Sequence, residues 1–317
     1  MSRLRPYVRL ARPDHWFKHV FMLPGALLVL HARPELVEPS LVPRLVLALL
    51  AACLIASSYY VLNEVLDAPF DANHPVKRAR PAPSGQVSIP LAYVEWAVLA
   101  LAGLAVAREL GTAFFAVAAA LWLNSLIYNV WPVRTKDRAH LDVLTESLNN
   151  PLRFALGWYA TGTDLVIPLS IVMAFWMLGA FFMAVKRFAE YRLLGDEARA
   201  AAYRASFSAY TTEMLLVSAT FYGVAFGLFL GIFLIRYRIE LLVTIPLIAG
   251  LMAWYMHLGF KPDSPTQYPE RLHGEHRFMA YLALCVLGST LALLVDMPWL
   301  HDLFQPTGDL LGETGRF

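Results

Sequence analysis

Nine apolar runs, separated by charged residues, prolines and glycines, make up most of this chain. They fall at roughly 16–31, 41–62, 91–107, 113–131, 145–161, 165–185, 213–235, 240–260 and 278–296. A helix of about 20 apolar residues crosses a bilayer, and the second, seventh, eighth and ninth runs reach that length by themselves. The fifth run is amphipathic and could form two half-helices. The pattern predicts an all-α polytopic protein with about nine transmembrane helices.

The first run is the weakest of the nine, because it is short and carries Lys18, His19 and the pair Pro24-Gly25. A signal-peptide core has a similar length, but no small-residue cleavage site is obvious and the basic segment before the run is long. We therefore interpret this run as the first transmembrane helix.

The composition supports a membrane protein, with 58% hydrophobic residues, 16% charged residues and a mean hydropathy of +0.52. A soluble domain has about 25% charged residues, and a soluble protein this apolar would expose large apolar patches. A net charge of +2 provides no basic surface for nucleic acid. Cys53 and Cys285 both lie in apolar runs, which excludes a disulfide framework or a zinc cluster. We expect one membrane domain over residues 1–317.

The distribution of Lys and Arg predicts the orientation. Twenty of the 26 basic residues lie in the N-terminal segment and in the loops after helices two, four, six and eight, and six lie on the other side. Because cytoplasmic loops carry the excess of Lys and Arg, we expect a bacterial inner-membrane protein with a cytoplasmic N-terminus and an extracytoplasmic C-terminus. The cytoplasmic loops are also the long, polar ones, so the chemistry is expected in a central cavity that opens to that face.

The second run ends in three polar side chains in helical register. Asn63, Asp67 and Asp71 are spaced four residues apart, which places them on one helix face, and Pro69 is expected to loosen the last turn. Carboxylates at membrane depth are costly unless they bind a cation, a proton or a basic partner. Mg²⁺ suits such a site because it joins one or two carboxylates to substrate phosphates. A helix cap with a solvated acidic loop is the alternative.

A second triplet repeats this spacing. Asp142, Glu146 and Asn150 are again four residues apart, and Pro151 ends the set. Two such triplets near one membrane face favour an internal pseudo-repeat, with two acidic helix ends facing each other across a cavity. The predicted Mg²⁺ ligands are Asn63, Asp67, Asp71, Asp142 and Glu146.

Basic residues surround both triplets and the end of the sixth run. Arg binds phosphate oxygens through two parallel hydrogen bonds, and Lys acts as a mobile point charge. Positive-inside anchoring is the alternative for the loops, and a surface salt bridge would equally explain Lys186 and Glu190, which are four residues apart. The candidate phosphate-binding residues are Lys18, Lys77, Arg78, Arg80, Lys136, Lys186 and Arg187.

These motifs resemble those of the UbiA superfamily of intramembrane prenyltransferases. Its first motif, Asn-xxx-Asp-xxx-Asp, matches Asn63, Asp67 and Asp71, and its second, Asp-xxx-Asp, matches Asp142 with Glu146 in the last position. Residues 12–18, 63–81, 186–190 and 194–197, together with Tyr210-Thr211, are similar to the polyprenyl-phosphate phosphoribosyltransferase branch. Residues 128–129, 133–136 and 147–150 depart from that branch.

The resemblance implies an Mg²⁺-dependent transferase in which Asp67, Asp71, Asp142 and Glu146 are catalytic. In the phosphoribosyl version, an oxygen of a polyprenyl phosphate attacks C1 of phosphoribosyl pyrophosphate, and pyrophosphate leaves. Lys186 and Arg187 are the residues we expect to hold the 5-phosphate of the ribosyl donor. The remaining candidate substrate-binding residues are Asn63, Tyr128, Asn150, Glu190 and Tyr210.

Two other functions stay open. The same metal site could take a prenyl diphosphate as donor and an aromatic compound as acceptor, although the excess of cationic residues favours a second phosphate-bearing substrate. An ion-coupled transporter is the other alternative, but the acids here are confined to helix ends. The sequence leaves the oligomeric state undetermined.

Overall fold

The computed structural model describes residues 4–72 and 77–304, and every regular element in this part of the chain is a helix. The all-α prediction is confirmed. The α-helices are α1 (Arg5–Leu10), α2 (Leu23–Ala32), α3 (Leu41–Asp71), α4 (Ile89–Glu109), α5 (Thr112–Asn129), α6 (Leu141–Ser147), α7 (Asn149–Ala160), α8 (Leu169–Leu194), α9 (Glu197–Tyr203), α10 (Thr212–Tyr237), α11 (Ile245–Gly259), α12 (His276–Leu294) and α13 (Pro298–Leu303).

Among the described residues, seven helical segments are long and apolar enough to cross a bilayer. They are α3, α4, α5, α8, α10, α12 and the segment Ile239–Gly259, which ends in α11. The other two apolar runs are divided. The first is split between a 3-10 segment, Pro13–Met22, and α2, and the fifth between α6 and α7. The fifth run is thus two half-helices, and the count of nine membrane-crossing helices stays a prediction.

The two divided runs pack against each other through glycines. A Cβ atom on Gly25 would collide with the carbonyl oxygen of Phe154, and a Cβ atom on Gly157 would collide with that of Met22. Only glycine lets the two backbones approach so closely. This crossing fixes the Pro13–Met22 segment against α7.

The two largest apolar clusters lie in the interior of the bundle. One lies between α7, α8, α10 and α11 around Phe154, Phe181 and Tyr222, and the other lies between α3, α4, α5 and α7 and contains many alanines. Small residues allow membrane helices to pack closely. The outward faces of α10 and α12 instead expose Val, Leu and Phe side chains, as expected of surfaces that face lipid.

Reporter fusions should reveal the orientation of the bundle. A reporter inserted within residues 195–204, after α8, is expected in the cytoplasm, because this is one of the Arg-rich loops. A reporter fused after Phe317, which lies outside the described residues, is expected on the opposite side. Alkaline phosphatase and green fluorescent protein activities distinguish the two sides. Finding both positions on one side would contradict nine crossings.

Candidate active site

Asp67, in the last turns of α3, is held by two cations from the loop after α5. Arg134 Nη2 and Lys136 Nζ both donate to Asp67 Oδ1, over 2.9 Å and 2.6 Å. Arg134 also donates from Nε to Asp137 over 2.7 Å. Burial lowers the pKa of Lys136 to about 8, although the Asp67 charge opposes this shift. The first acidic motif and the basic loop 130–140 therefore form one charged unit.

Asn63 extends this unit one turn deeper along α3. Its amide Nδ2 donates to Asn129 Oδ1 over 2.6 Å, and the same oxygen accepts from Lys136 Nζ over 2.8 Å. A continuous chain of hydrogen bonds therefore runs from Asn63 through Asn129 and Lys136 to Asp67. Asn129 ends α5 and was absent from the predicted site.

Asp71 is the last residue of α3 and pairs with the segment that follows. Arg80 Nη1 donates to Asp71 Oδ2 over 2.8 Å, and Lys77 Nζ lies 3.7 Å from Oδ1. Burial lowers the pKa of both Lys77 and Arg80, and the Asp71 charge opposes each shift. Arg78 is exposed, in contrast to Lys77 and Arg80.

A cavity of about 640 Å³ is lined by Lys77 and Arg80, the two cations that pair with Asp71. Its wall contains four cationic side chains, those of Arg9, Arg12, Lys77 and Arg80. The rings of Tyr203 and Tyr268 also line it. Pockets for small molecules have volumes of about 300–1,000 Å³. The cavity therefore has the size and the charge to hold a phosphorylated compound.

Glu64 builds one wall of this cavity. Its buried carboxylate accepts a hydrogen bond from Arg12 Nη2 over 2.9 Å and another from the backbone N–H of Ala82 over 3.1 Å. Glu64 therefore ties together the N-terminal segment, α3 and the loop after α3. The sequence prediction missed this role, because Glu64 lies out of register with Asn63 and Asp67.

Asp142, at the start of α6, lies in a fully buried network rather than in an open acidic site. Arg187 Nε donates to Oδ2 over 3.0 Å, Ser206 Oγ donates to Oδ2 over 3.2 Å, and Tyr210 Oη donates to Oδ1 over 2.8 Å. Burial, followed by the charge of Asp142, raises the pKa of Tyr210, which keeps its hydroxyl group a donor. Asp142 thus joins α6 to α8 and to the segment before α10.

Arg187 bridges two carboxylates. It is only 2% exposed and donates from Nη1 to Glu190 over 2.8 Å as well as from Nε to Asp142. Lys186 Nζ lies 3.9 Å from Glu190, so the predicted pair of these two residues forms. Arg204 Nη1 lies 3.8 Å from Asp142 and adds a further cation, which the sequence prediction had not assigned. Arg187 is thus engaged by protein carboxylates on two sides.

The rest of the second triplet is divided between two surroundings. Glu146 accepts a hydrogen bond from Tyr59 Oη over 2.7 Å, and the Tyr59 ring lies 6.2 Å from the ring of Tyr128. Asn150 instead packs on α8, where a Cβ atom on Gly179 would collide with its amide group. The triplet therefore shares a helix register in sequence but not one chemical environment.

The first motif suits Mg²⁺ better than the second. Within the described residues, no three Asp, Glu, His or Cys side chains converge as a metal-binding group. Mg²⁺ commonly uses only one or two carboxylates together with substrate phosphates. Asp67 and Asp71 are about one turn apart on α3, and Asp71 pairs with Lys77 and Arg80 of the cavity lining. Asp142 fits less well, because its two oxygens already accept three hydrogen bonds.

The site also concentrates backbone strain. Arg12, Arg134 and His140 are the non-glycine residues with positive φ in the described part of the chain. Such conformations cost on the order of 1–3 kcal/mol each and persist where the surroundings enforce them. All three lie beside the charged units described above. The segment 74–76, part of the sequence resemblance, lies outside the described residues.

Comparisons with known proteins agree with this architecture. The model of the UbiA prenyltransferase family matches residues 20–282. The decaprenyl-phosphate phosphoribosyltransferases of Mycolicibacterium smegmatis and Mycobacterium tuberculosis are each 31% identical to this chain, over 226 and 225 residues. These matches cover 70% of this chain and 69% and 72% of the two relatives.

A solved structure shows the same fold. The UbiA homologue from Archaeoglobus fulgidus, bound to DMAPP and Mg²⁺, superposes with a TM-score of 0.68 at 22% identity, over 92% of this chain and 99% of the homologue. The helical bundle, the family model and the similarity to the mycobacterial relatives all lead to one assignment. This chain is an integral membrane protein that belongs to the UbiA prenyltransferase family and is an enzyme of that type.

Proposed function

We propose that this enzyme transfers the 5-phosphoribosyl group from phosphoribosyl pyrophosphate to a polyprenyl phosphate, with release of pyrophosphate and with Mg²⁺ as cofactor. The names of the mycobacterial relatives support the choice of substrates, and the Mg²⁺ in the Archaeoglobus homologue supports the metal. We place the reaction at the cytoplasmic face, where the long basic loops are expected.

The observation that carries this proposal is the number and arrangement of cations. Lys77 and Arg80 line the cavity and pair with Asp71, Arg134 and Lys136 contact Asp67, and further cations lie around Glu190. A single diphosphate needs only part of this charge. A donor with a pyrophosphate and a separate 5-phosphate, together with a phosphorylated acceptor, uses all of it.

The acids and bases of the first motif neutralise one another in this structure. Asp67 and Asp71 would hold Mg²⁺, whose positive charge stabilises a departing pyrophosphate when bound. Arg134, Lys136 and Arg80 would then exchange a carboxylate partner for phosphate oxygens, which are equally good acceptors for charged donors. The proposed substrate complex therefore replaces existing ion pairs without leaving a buried charge unpaired.

The acceptor needs little activation. A phosphate oxygen of the lipid is already anionic, so no strong general base is required for its attack on the ribose carbon. Lys77, Arg80 and Lys186 are the residues we assign to the substrate phosphates, while Arg187 holds Asp142 and Glu190 in place. The apolar and aromatic faces of the helices would hold the isoprenoid chain.

Product analysis tests the proposal. The purified enzyme, reconstituted in lipid with Mg²⁺, is incubated in parallel with phosphoribosyl pyrophosphate plus a polyprenyl phosphate and with a prenyl diphosphate plus hydroxybenzoate. Mass spectrometry is expected to detect a lipid-linked phosphoribose in the first reaction. A prenylated benzoate in the second reaction, with no product in the first, would refute the assigned substrates.

A variant of the cavity tests how the donor is held. Arg80→Gln is expected to raise KM for the ribosyl donor roughly tenfold or more, because a charge-assisted contact to phosphate is worth about 1.5–3 kcal/mol. KM for the polyprenyl phosphate should change little. Lys261→Gln removes a cation that pairs with Glu275 and lies outside the cavity lining, so it serves as the control. Equal KM values for the donor in Arg80→Gln and the control would remove Arg80 from the donor site.

A further inference from the structure

Arg153 and His19 are two buried polar side chains that the acidic motifs do not explain. Arg153, on α7, is 7% exposed, and His19, in the Pro13–Met22 segment, is 4% exposed. Neither Nε of Arg153 nor either ring nitrogen of His19 has a hydrogen-bond partner in the described part of the chain. Arg153 also forms no ion pair with any described carboxylate. Most buried polar groups in proteins are hydrogen-bonded, so the unpartnered nitrogens of these two side chains call for an explanation.

The two side chains belong to one locus. Arg153 is close enough to His19 and to the ring of Tyr60 for its charge to act on both. Lys18 Nζ lies 5.7 Å from the centre of the same Tyr60 ring. The contact between Met22 and Gly157 joins the two segments. His19 lies about one turn before Met22, and Arg153 lies about one turn before Gly157.

The positive charge of Arg153 makes this locus suited to bind an anion. A guanidinium group without a counter-ion is costly in a low-dielectric interior, and most of that cost disappears when a carboxylate or phosphate binds. No carboxylate among residues 4–72 and 77–304 is paired with Arg153. Glu146, which also lies near Tyr60, accepts its hydrogen bond from Tyr59, and Glu64 is paired with Arg12.

We propose that Arg153, with His19 as a second hydrogen-bonding group, binds the phosphate head of the polyprenyl phosphate. This inference rests on the proposed function and extends it to the acceptor subsite. A water-soluble donor already has the cationic cavity lined by Lys77 and Arg80. Arg153 lies in an apolar run, between Leu152 and Phe154, and a phosphate that carries a hydrocarbon chain is the anion suited to this position.

Direct binding tests the subsite independently of catalysis. Farnesyl phosphate, a short polyprenyl phosphate, is titrated against the purified full-length protein without donor or Mg²⁺, and tryptophan fluorescence reports binding. Arg153→Gln is expected to weaken affinity roughly ten- to hundredfold, as for loss of a charged hydrogen-bonding partner, while affinity for farnesol stays within about twofold. The affinity of Arg153→Lys, which keeps the charge, for farnesyl phosphate should lie between those of the wild type and Arg153→Gln. Arg44→Gln is the matched control, because Arg44 also has a buried, unpartnered Nε but pairs with the backbone oxygen of Leu110.

Three outcomes would overturn the inference. In the first, Arg153→Gln binds farnesyl phosphate as tightly as the wild type. In the second, the variant loses farnesol and farnesyl phosphate equally, which identifies a structural role. In the third, only KM for the ribosyl donor rises, which identifies a donor contact. If Arg153→Gln does not fold, the affinities of Arg153→Lys for farnesyl phosphate and farnesol, and its KM for the ribosyl donor, are compared with the wild-type values instead.

The failure of the proposed function would look different. Wild-type protein would bind farnesyl phosphate through Arg153 and yet form no phosphoribosylated lipid from the ribosyl donor. Conversely, the enzyme could form the phosphoribosylated lipid while Arg153→Gln binds farnesyl phosphate as tightly as the wild type. That result would support the proposed function and refute the Arg153 subsite.

Discussion

Replacing Asp67 with asparagine is expected to lower kcat/KM on the order of 10³-fold. In the proposed reaction this carboxylate holds Mg²⁺ against the departing pyrophosphate, and metal stabilisation of that charge is worth several kcal/mol. The substitution keeps the shape of the side chain and an oxygen that can accept from Arg134 and Lys136. Initial rates of the purified variant, measured over a range of Mg²⁺ concentrations, give the effect. EDTA should abolish wild-type turnover, and Mg²⁺ should restore it.

Asp137→Asn is the matched control for Asp67→Asn. Both carboxylates accept a hydrogen bond from Arg134, from Nη2 in one case and from Nε in the other. Only Asp67 is proposed to hold the metal, so the control should retain activity within a few-fold of the wild type. If Asp67→Asn keeps near-wild-type turnover at saturating Mg²⁺, the carboxylate serves only to hold Arg134 and Lys136.

Replacing Arg187 with alanine is expected to have the largest effect on stability. The change leaves the carboxylates of Asp142 and Glu190 buried without their shared cation, and breaking a buried ion pair from one side costs about 3–5 kcal/mol. The thermal unfolding midpoint of the detergent-solubilised protein should fall markedly. Arg187 is paired with two protein carboxylates. We therefore expect a loss of stability as the main effect of the substitution, rather than a selective change in KM for the donor.

Lys261→Ala is the control for this stability measurement. Lys261 also pairs with a carboxylate, Glu275, but the Lys261 side chain is exposed and that of Glu275 is partly exposed. Exposed pairs contribute only about 0–1 kcal/mol, so the unfolding midpoint should barely move. An Arg187→Ala protein as stable as this control, with a selectively raised KM for the ribosyl donor, would instead support a direct phosphate contact.

Most of the helical architecture could be predicted from hydropathy. Seven apolar runs became long helices because a continuous apolar surface must be covered by lipid or by other helices, whatever the details of packing. The two divided runs were harder to interpret. Local hydropathy does not register the glycine crossing at Gly25 and Gly157, or the break at Leu148 between α6 and α7.

The candidate site was predicted less completely than the fold. The register of Asn63, Asp67 and Asp71 follows from helical periodicity alone, and the structure places these residues along one stretch of α3. Asp142 and Glu146 have the same four-residue spacing, but among the described residues they share no hydrogen-bond partner with each other. The partners come from α8, from the loop before α10 and from Tyr59 on α3, and no local pattern encodes which of them will meet.

The sequence by itself determined that this chain is an all-helical membrane protein with acidic helix ends and basic loops, because hydropathy and periodicity are local properties. Only the tertiary structure decided which charges pair. It buried Asp142 behind Arg187 and built the cavity wall from Arg12 and Glu64, which are 52 residues apart. It also left Nε of Arg153 and both ring nitrogens of His19 without a hydrogen-bond partner among the described residues. Burial and partner choice depend on contacts between distant segments, and these contacts turn similar charged residues into ion pairs, a cavity lining or an unsatisfied cation.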